Sequence, residues 1–117
     1  ETVAYFRPDS HHTGGFPGFV YGGLIAAILD CHGNGTAAAA GYRFQSRPMD
    51  SEPNLRYVTA NLNLNYRRPT PMGVDLELRA HIKEVTDRKV LMELSLIAEG
   101  QVTVEGSMLS VLLPEKK

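Results

Sequence analysis

The sequence predicts an α+β fold in which an antiparallel β-sheet wraps around one long central helix. Two observations carry this prediction: one alanine-rich apolar segment has helical spacing, and the segments after it alternate between apolar and polar residues. Short turns separate the alternating segments, as expected for neighbouring antiparallel strands. Because such a sheet must cover one apolar face and only one helix is available, we expect the helix to lie against that face.

The N-terminal region, residues 1–22, is rich in glycine, proline and histidine. These residue types favour turns and irregular segments, so we expect loops there rather than a regular element. The chain begins at Glu1, without an initiator methionine or a signal-peptide pattern. We therefore expect residues 1–117 to form a single domain of a longer chain.

The predicted helix covers residues 23–44. Apolar residues recur at helical spacing over residues 24–29, and residues 37–40 are alanines, which are strong helix formers. Gly33 and Gly35 lie in its middle, where each glycine costs about 1 kcal/mol relative to alanine. They mark either a break or a place where another part of the chain packs closely. We expect one unbroken helix with close contacts.

The strands are predicted from a period of two. Residues 45–56 form a polar loop, and from residue 58 onward apolar side chains alternate with polar ones. In the first strand, Val58, Ala60, Leu62, Leu64 and Tyr66 are expected on one face, with Thr59, Asn61, Asn63 and Asn65 on the other. After turns at residues 69–73 and 87–89, further strands are expected at 74–83, about 90–99 and 102–113.

One helix cannot cover every apolar position of this sheet. Several apolar residues are expected on the face turned away from it: Leu91, Ile97, Leu109, Val111 and Leu113. Exposed apolar strand surface commonly lies in an interface. The sequence therefore predicts an obligate homo-oligomer, a symmetric homodimer or a tetramer built as a dimer of dimers.

The composition excludes several classes of protein. A formal charge of -1 over 117 residues gives no global attraction to nucleic acid or to an anionic membrane. No apolar run reaches the ~18 residues of a membrane-spanning helix. The single cysteine, Cys31, has no partner for an internal disulfide, which favours a reducing compartment, and we expect the cytoplasm. We expect Cys31 to be a buried, unreactive thiol, since no paired base can be identified.

Two features near the helix start suggest chemistry. A Gly22-Gly23 pair that opens a helix exposes backbone N–H groups at the positive end of the helix dipole, which can bind an anion or polarise a carbonyl oxygen. Asp30 lies two turns after Gly23, inside an otherwise apolar helix. A carboxylate in that position is either paired, exposed, or directed into a cleft.

At these residues the sequence resembles a known family. Gly18-x-Val20-x-Gly22-Gly23 followed by Asp30 is similar to the signature of hotdog-fold acyl-CoA thioesterases of the PaaI-like group. That group usually has His-Gly-Gly with an acid nine residues after the histidine, and here Tyr21 occupies the histidine position. The stretch of residues 59–73 resembles the family's first strand after the helix and its turn. The likeness covers residues 17 to 113.

The resemblance implies catalytic roles for three residues. Asp30 would be the general base, or the nucleophile, in thioester hydrolysis, and the Gly23 N–H would polarise the thioester carbonyl. Thr59 matches a family Ser or Thr that helps to place the attacking water. In the family, the active site lies at a dimer interface, and the glycine and the acid come from different subunits. No cofactor is implied.

The resemblance also implies substrate contacts at Tyr21 and Gly22 and at the basic pair Arg67 and Arg68. Basic residues at this strand end can meet the phosphates of CoA, because a guanidinium binds two phosphate oxygens together. The alternative for the two arginines is a solvated strand end.

Other functions remain open at this stage. Tyr21 is not equivalent to a histidine as a titrating group at neutral pH, so a non-hydrolytic acyl-CoA-binding protein is the main alternative. A dehydratase of the same fold would need an Asp/His pair, and His32 lies on a different helix face from Asp30. A metal site at Asp9, His11 and His12 is not expected, since adjacent histidines usually point apart and no second ligand pair supports them.

Overall fold

The computed structural model describes residues 1–9 and 18–114. It contains one helix and one five-stranded antiparallel sheet with the strand order β1-β3-β4-β5-β2. The helix packs against β2, β3, β4 and β5, which confirms the predicted α+β arrangement. The elements are β1 (Thr2–Phe6), α1 (Gly22–Phe44), β2 (Tyr57–Tyr66), β3 (Leu76–Val85), β4 (Lys89–Ala98) and β5 (Gln101–Leu112).

Helix α1 is continuous over 23 residues, as predicted. Its two central glycines differ in their surroundings. Gly33 is buried, and a Cβ atom there would lie 2.2 Å from the sulfur of Met108 on β5. Gly35 is exposed, and a Cβ atom there would have no neighbour within 4 Å. A larger residue at position 33 would therefore displace the Met108 side chain, whereas one at position 35 would displace nothing.

The core lies between α1 and one face of the sheet. The helix contributes Ile25 and Leu29, which are almost fully buried. The sheet contributes alternate residues of its central strands, as the period of two predicts. These residues are Leu76, Leu78, Ala80, Val90, Met92, Leu94, Leu96, Val104 and Met108.

Strand β1 corrects the expectation of loops over residues 1–22. Residues 2–6 pair with β3 in an antiparallel register that runs from Thr2 opposite Ala80 to Phe6 opposite Leu76. The sequence Thr-Val-Ala-Tyr-Phe is typical of a strand, but the glycines, prolines and histidines that follow it dominate the composition of the whole segment. Residues 10–17, including His11 and His12, lie outside the described part of the chain.

Strand β2 contains a bulge that the sequence pattern does not predict. Its pairing with β5 shifts between Thr59 and Asn61, so Ala60 is an extra residue in the ladder. An extra residue reverses the alternation, because side chains change face at every position. Thr59 therefore faces α1 together with Leu62, and the prediction that they lie on opposite faces was wrong. Val58 is correspondingly 39% exposed.

The outer face of the sheet, turned away from α1, keeps apolar surface. Leu91 on β4 is 37% exposed, and Val3 and Tyr5 on β1 are 43% and 70% exposed. Of the other predicted outer residues, Leu113 is exposed, while Ile97, Leu109 and Val111 are half-buried. In the described part of the chain, no helix has the length and apolar character needed to cross a membrane.

Candidate active site

A hydrogen-bonded group of side chains surrounds Asp30, which is half-buried on α1. The Thr59 hydroxyl on β2 donates to Asp30 Oδ1. One turn further along the helix, the Asn34 Nδ2 donates to Thr59 Oγ1 at 3.0 Å, and the Ser110 hydroxyl on β5 donates to Asn34 Oδ1 at 3.0 Å. The bulge in β2 is what turns Thr59 towards the helix, so the pairing of carboxylate and hydroxyl depends on it.

Asn34 and Ser110 are site residues that sequence reasoning missed. Asn34 follows Asp30 by four residues, which places both on one face of a helix, and this spacing was a usable signal. Ser110 carries no such signal, because it reaches Asn34 only through the pairing of β5 with β2, where it lies opposite Thr59.

The N-terminus of α1 is exposed at its first two residues, Gly22 and Gly23. Tyr21 precedes the helix in an extended conformation, its side chain makes no capping hydrogen bond, and the first turn carries no acidic residue. The first N–H groups of a helix have no intrahelical partner, so this end can donate to an anion or to a polarised carbonyl oxygen.

Two tyrosines flank the helix start. The Tyr66 hydroxyl, at the end of β2, donates to the Gly22 carbonyl at 2.7 Å, and partial burial raises the pKa of this phenol above its ordinary value. A Cβ atom at Gly22 would lie 3.3 Å from the Tyr66 ring, and one at Gly23 would lie 3.0 Å from the Tyr21 ring. The glycines thus allow both rings to approach the helix. Sequence reasoning assigned no site role to Tyr66.

The basic pair lies at the same end of the molecule as the helix start, because Arg67 directly follows Tyr66. Arg67 forms an ion pair with Glu105 at 2.8 Å, and Arg68 donates to the Gln101 side chain at 3.1 Å. Both arginines are exposed. Since Arg68 has an uncharged partner, its guanidinium is the more available of the two for a phosphate group.

Gly23 and Asp30 of one chain are too far apart to act on one carbonyl group. Seven residues of helix separate them, which corresponds to roughly 10 Å along the axis. An oxyanion donor and a water-aligning base must each lie within about 3 Å of the atoms that they serve. One chain therefore holds two separate features: an exposed helix N-terminus, and a carboxylate with its hydroxyl partner.

Comparison with known proteins identifies the family. Residues 17–105 match the family model described as Thioesterase superfamily. The chain belongs to the thioesterase superfamily. The predicted resemblance to hotdog-fold thioesterases is confirmed.

One curated relative and two solved structures of this superfamily's fold illustrate the likeness. A thioesterase superfamily protein from Shewanella loihica PV-4 is 47% identical, with a TM-score of 0.77 over 96% of this chain and 82% of that chain. The acyl-coenzyme A thioesterase THEM4 of Mus musculus is 30% identical over 98% of this chain, which spans only 45% of that relative. The PaaI protein of E. coli, from the phenylacetic acid degradation operon, has a TM-score of 0.78 at 12% identity. It aligns over 96% of this chain and 70% of its own, and this last likeness concerns the fold alone.

In this member of the thioesterase superfamily, the structure places Thr59 against Asp30 and Tyr21 against Gly23. It does not bring Gly23 and Asp30 together within one chain. His32 is directed away from the Asp30 group, because its Nε2 lies 3.1 Å from the Thr2 hydroxyl on β1, at the opposite edge of the sheet from β2. A His32–Asp30 pair of the dehydratase type is therefore absent from the described residues.

Cys31 is exposed, so the prediction of a buried thiol was wrong. Helix α1 buries only the face that contacts the sheet, and Cys31 lies on the uncovered side of it. Among residues 1–9 and 18–114, no group of three or more His, Cys, Asp and Glu side chains is arranged to hold a metal ion.

Proposed function

We propose that this chain is an acyl-CoA thioesterase, which hydrolyses an acyl-CoA to the free acid and CoA. The observation that carries the proposal is the hydrogen bond between Thr59 and Asp30 in a member of the thioesterase superfamily. It gives a carboxylate that is held in place beside a hydroxyl group, which is the arrangement needed to align a water molecule. The name of the Mus musculus relative supports the choice of acyl-CoA as the substrate.

In the proposed mechanism, Asp30 and the free lone pair of Thr59 Oγ1 hold a water molecule. The water oxygen attacks the thioester carbonyl carbon while its proton passes to Asp30. The Gly23 N–H and the positive end of the helix stabilise the oxyanion that develops. Collapse of the tetrahedral intermediate breaks the C–S bond, and the departing CoA thiolate takes the proton from Asp30. The products are the free acid and CoA.

We further propose that the working unit is a homodimer in which each site combines Gly23 of one chain with Asp30 of the other. The separation of roughly 10 Å within one helix supports this, since it prevents both from acting on one carbonyl. Among residues 1–9 and 18–114, strand β2, which carries Thr59, pairs with β5 alone at an edge of the sheet, and its other side can receive a second copy. The exposed apolar residues of the outer face support further association into a tetramer.

Substrate contacts follow from this arrangement. Gly22 and the exposed Tyr21 ring lie where the acyl thioester would approach the helix start. Arg68, with Arg67 beside it, would bind the phosphates of CoA at the same end of the molecule. The single cysteine supports a reducing compartment such as the cytoplasm.

Hydrolysis of a panel of short-chain, long-chain and aromatic acyl-CoAs tests the proposed activity. We expect turnover of at least one of these classes, measured from the loss of thioester absorbance. A thiol reagent is unsuitable because it would also modify the exposed Cys31. Tyr21 at the family's histidine position favours one alternative, an acyl-CoA-binding protein. Tight binding of acyl-CoA by the folded oligomer without turnover of any class would establish that alternative.

A subunit-mixing experiment tests the shared site. Gly23→Pro removes the proposed oxyanion donor while proline is tolerated in the first turn of a helix, and Asp30→Asn removes the base. Each variant alone should be nearly inactive. After unfolding and refolding together in equal amounts, half of the dimers are mixed and each has one intact site, so about a quarter of the wild-type activity should return. Refolding of each variant alone is the control, and no recovery in the mixture would place both residues in the same chain's site.

A further inference from the structure

The Asp30 group extends beyond the two residues used in the proposed mechanism. Four side chains from three elements form one continuous series: Ser110 to Asn34, Asn34 to Thr59, and Thr59 to Asp30. Ser110 is fully buried, and Thr59, Asn34 and Asp30 are half-buried. Asn34 is the central member, since its amide contacts both hydroxyl groups.

The direction of every hydrogen bond in this series follows from the charge at one end. An ionised carboxylate only accepts, so Thr59 must use its single hydroxyl proton towards Asp30. Thr59 Oγ1 is then an acceptor for Asn34, which must present its NH₂ group there. The Asn34 carbonyl oxygen consequently faces Ser110, and the Ser110 hydroxyl must donate to it. All three hydrogen bonds therefore run in one direction, from Ser110 towards Asp30.

We infer that Asn34 is a positioning residue for the proposed hydrolysis, acting through Thr59. By donating to Thr59 Oγ1, its amide occupies one lone pair of that oxygen. The hydroxyl proton is then directed at Asp30. This inference rests on the proposed function, because its value lies in holding Asp30 and Thr59 ready for a water molecule. Without the donor, the Thr59 hydroxyl can rotate about its C–O bond, and the Thr59 side chain can leave its rotamer.

The fold explains why this residue can act so specifically. Asn34 lies one helical turn after Asp30, and Ser110 lies opposite Thr59 in the pairing of β5 with β2. Ser110 has 0% exposure, so its hydroxyl has no access to water and needs the Asn34 carbonyl oxygen as its acceptor. The buried serine therefore fixes which way the Asn34 amide faces, and the amide in turn fixes Thr59.

Asn34→Asp is the sharpest test, because it keeps the shape of the side chain and an acceptor for Ser110 but removes the donor to Thr59. We expect kcat to fall about tenfold with KM unchanged, the scale of losing one hydrogen bond. Asn34→Ala, which adds no charge, should lower kcat to a similar extent. Asn54→Asp is the matched control, since it makes the same substitution at an exposed residue of the loop between α1 and β2. It should leave kcat unchanged.

A double-mutant cycle separates positioning from a structural role. In a Thr59→Val background, Asn34→Ala should have no further effect on kcat, because the hydroxyl through which Asn34 acts is already gone. Equal losses in both backgrounds would overturn the inference. So would wild-type kcat in both Asn34 variants.

A measurement without substrate distinguishes failure of this inference from failure of the proposed function. Three-bond NMR couplings of the Thr59 methyl carbon report the rotamer of this side chain. We expect a single rotamer in the wild type and averaged couplings in Asn34→Ala, whether or not the protein hydrolyses acyl-CoA. If the couplings stay unchanged in Asn34→Ala, Asn34 does not position Thr59. If they change while the wild type has no hydrolase activity, the inference about Thr59 stands and the proposed function fails.

Discussion

Replacing Asp30 with Asn is expected to lower kcat for acyl-CoA hydrolysis at least about a hundredfold, since proton transfer by a positioned carboxylate contributes ~10²–10⁴-fold. An amide has the same shape as a carboxylate, and its oxygen can still accept from the Thr59 hydroxyl. The substitution therefore removes the base while it keeps the local hydrogen bond. The rate is measured from thioester absorbance with the best substrate of the panel.

The control for Asp30→Asn is to show that the variant still folds and assembles like the wild type. The variant should elute at the wild-type position in size-exclusion chromatography and keep its affinity for CoA. Loss of turnover in a correctly assembled variant assigns Asp30 to the reaction. Nearly full hydrolysis in that variant would remove Asp30 from the mechanism and leave the helix N-terminus as the main source of catalysis.

The largest effect on stability is expected for Gly106→Ala on β5. A Cβ atom at Gly106 would lie 1.8 Å from the Asn63 carbonyl oxygen and 2.9 Å from Leu64 Cα, both in the backbone of β2. Backbone atoms in a paired strand cannot move aside as a flexible side chain can, so the two strands must separate locally. We expect the free energy of unfolding to fall by about 3 kcal/mol or more, measured by urea denaturation.

Gly35→Ala is the matched control for the glycine substitution. Gly35 is exposed in the middle of α1, and a Cβ atom there meets nothing within 4 Å. The same change should therefore raise the free energy of unfolding by about 0.5–1 kcal/mol, because alanine loses less backbone entropy than glycine in a helix. Wild-type stability of Gly106→Ala would contradict the close approach of β5 to β2.

The elements that the sequence predicts well are those with a long, uninterrupted period. Strand β4 alternates over all ten of its residues and β3 over residues 76–82, with the core faces expected of them, and helix α1 is continuous as predicted. Strand β1 escaped prediction because its 5 residues precede a longer segment of glycine, proline and histidine that sets the composition of the region. A short strand is stabilised mainly by its pairing with β3, which composition does not report.

The candidate site likewise contains some residues that the sequence predicts and others that it does not. The resemblance of short motifs to a family predicts roles for Gly23, Asp30 and Thr59, and the contact between Asp30 and Thr59 is present in the structure. Asn34 and Ser110 join this group through the register of β2 with β5 and through an extra residue in β2. Neither the register nor the bulge has a local sequence signal, since Ala60 is as compatible with an ordinary strand as its neighbours are. The uncovered face of α1, where Cys31 lies, likewise depends on how far the sheet extends around the helix.

The bulge at Ala60 has a consequence for how this protein can change over time. It divides β2 into two half-strands that are out of phase by one residue, so that Thr59 points inward without displacing Leu62 or Leu64 from the core. The polar position that serves chemistry and the apolar positions that serve folding are thus uncoupled on a single strand. Val58, on the outward side of the bulge, is free to vary with whatever surface covers the sheet. A substitution at Thr59 or Val58 can therefore change the chemistry or the outer surface of the strand without removing an apolar side chain from the core.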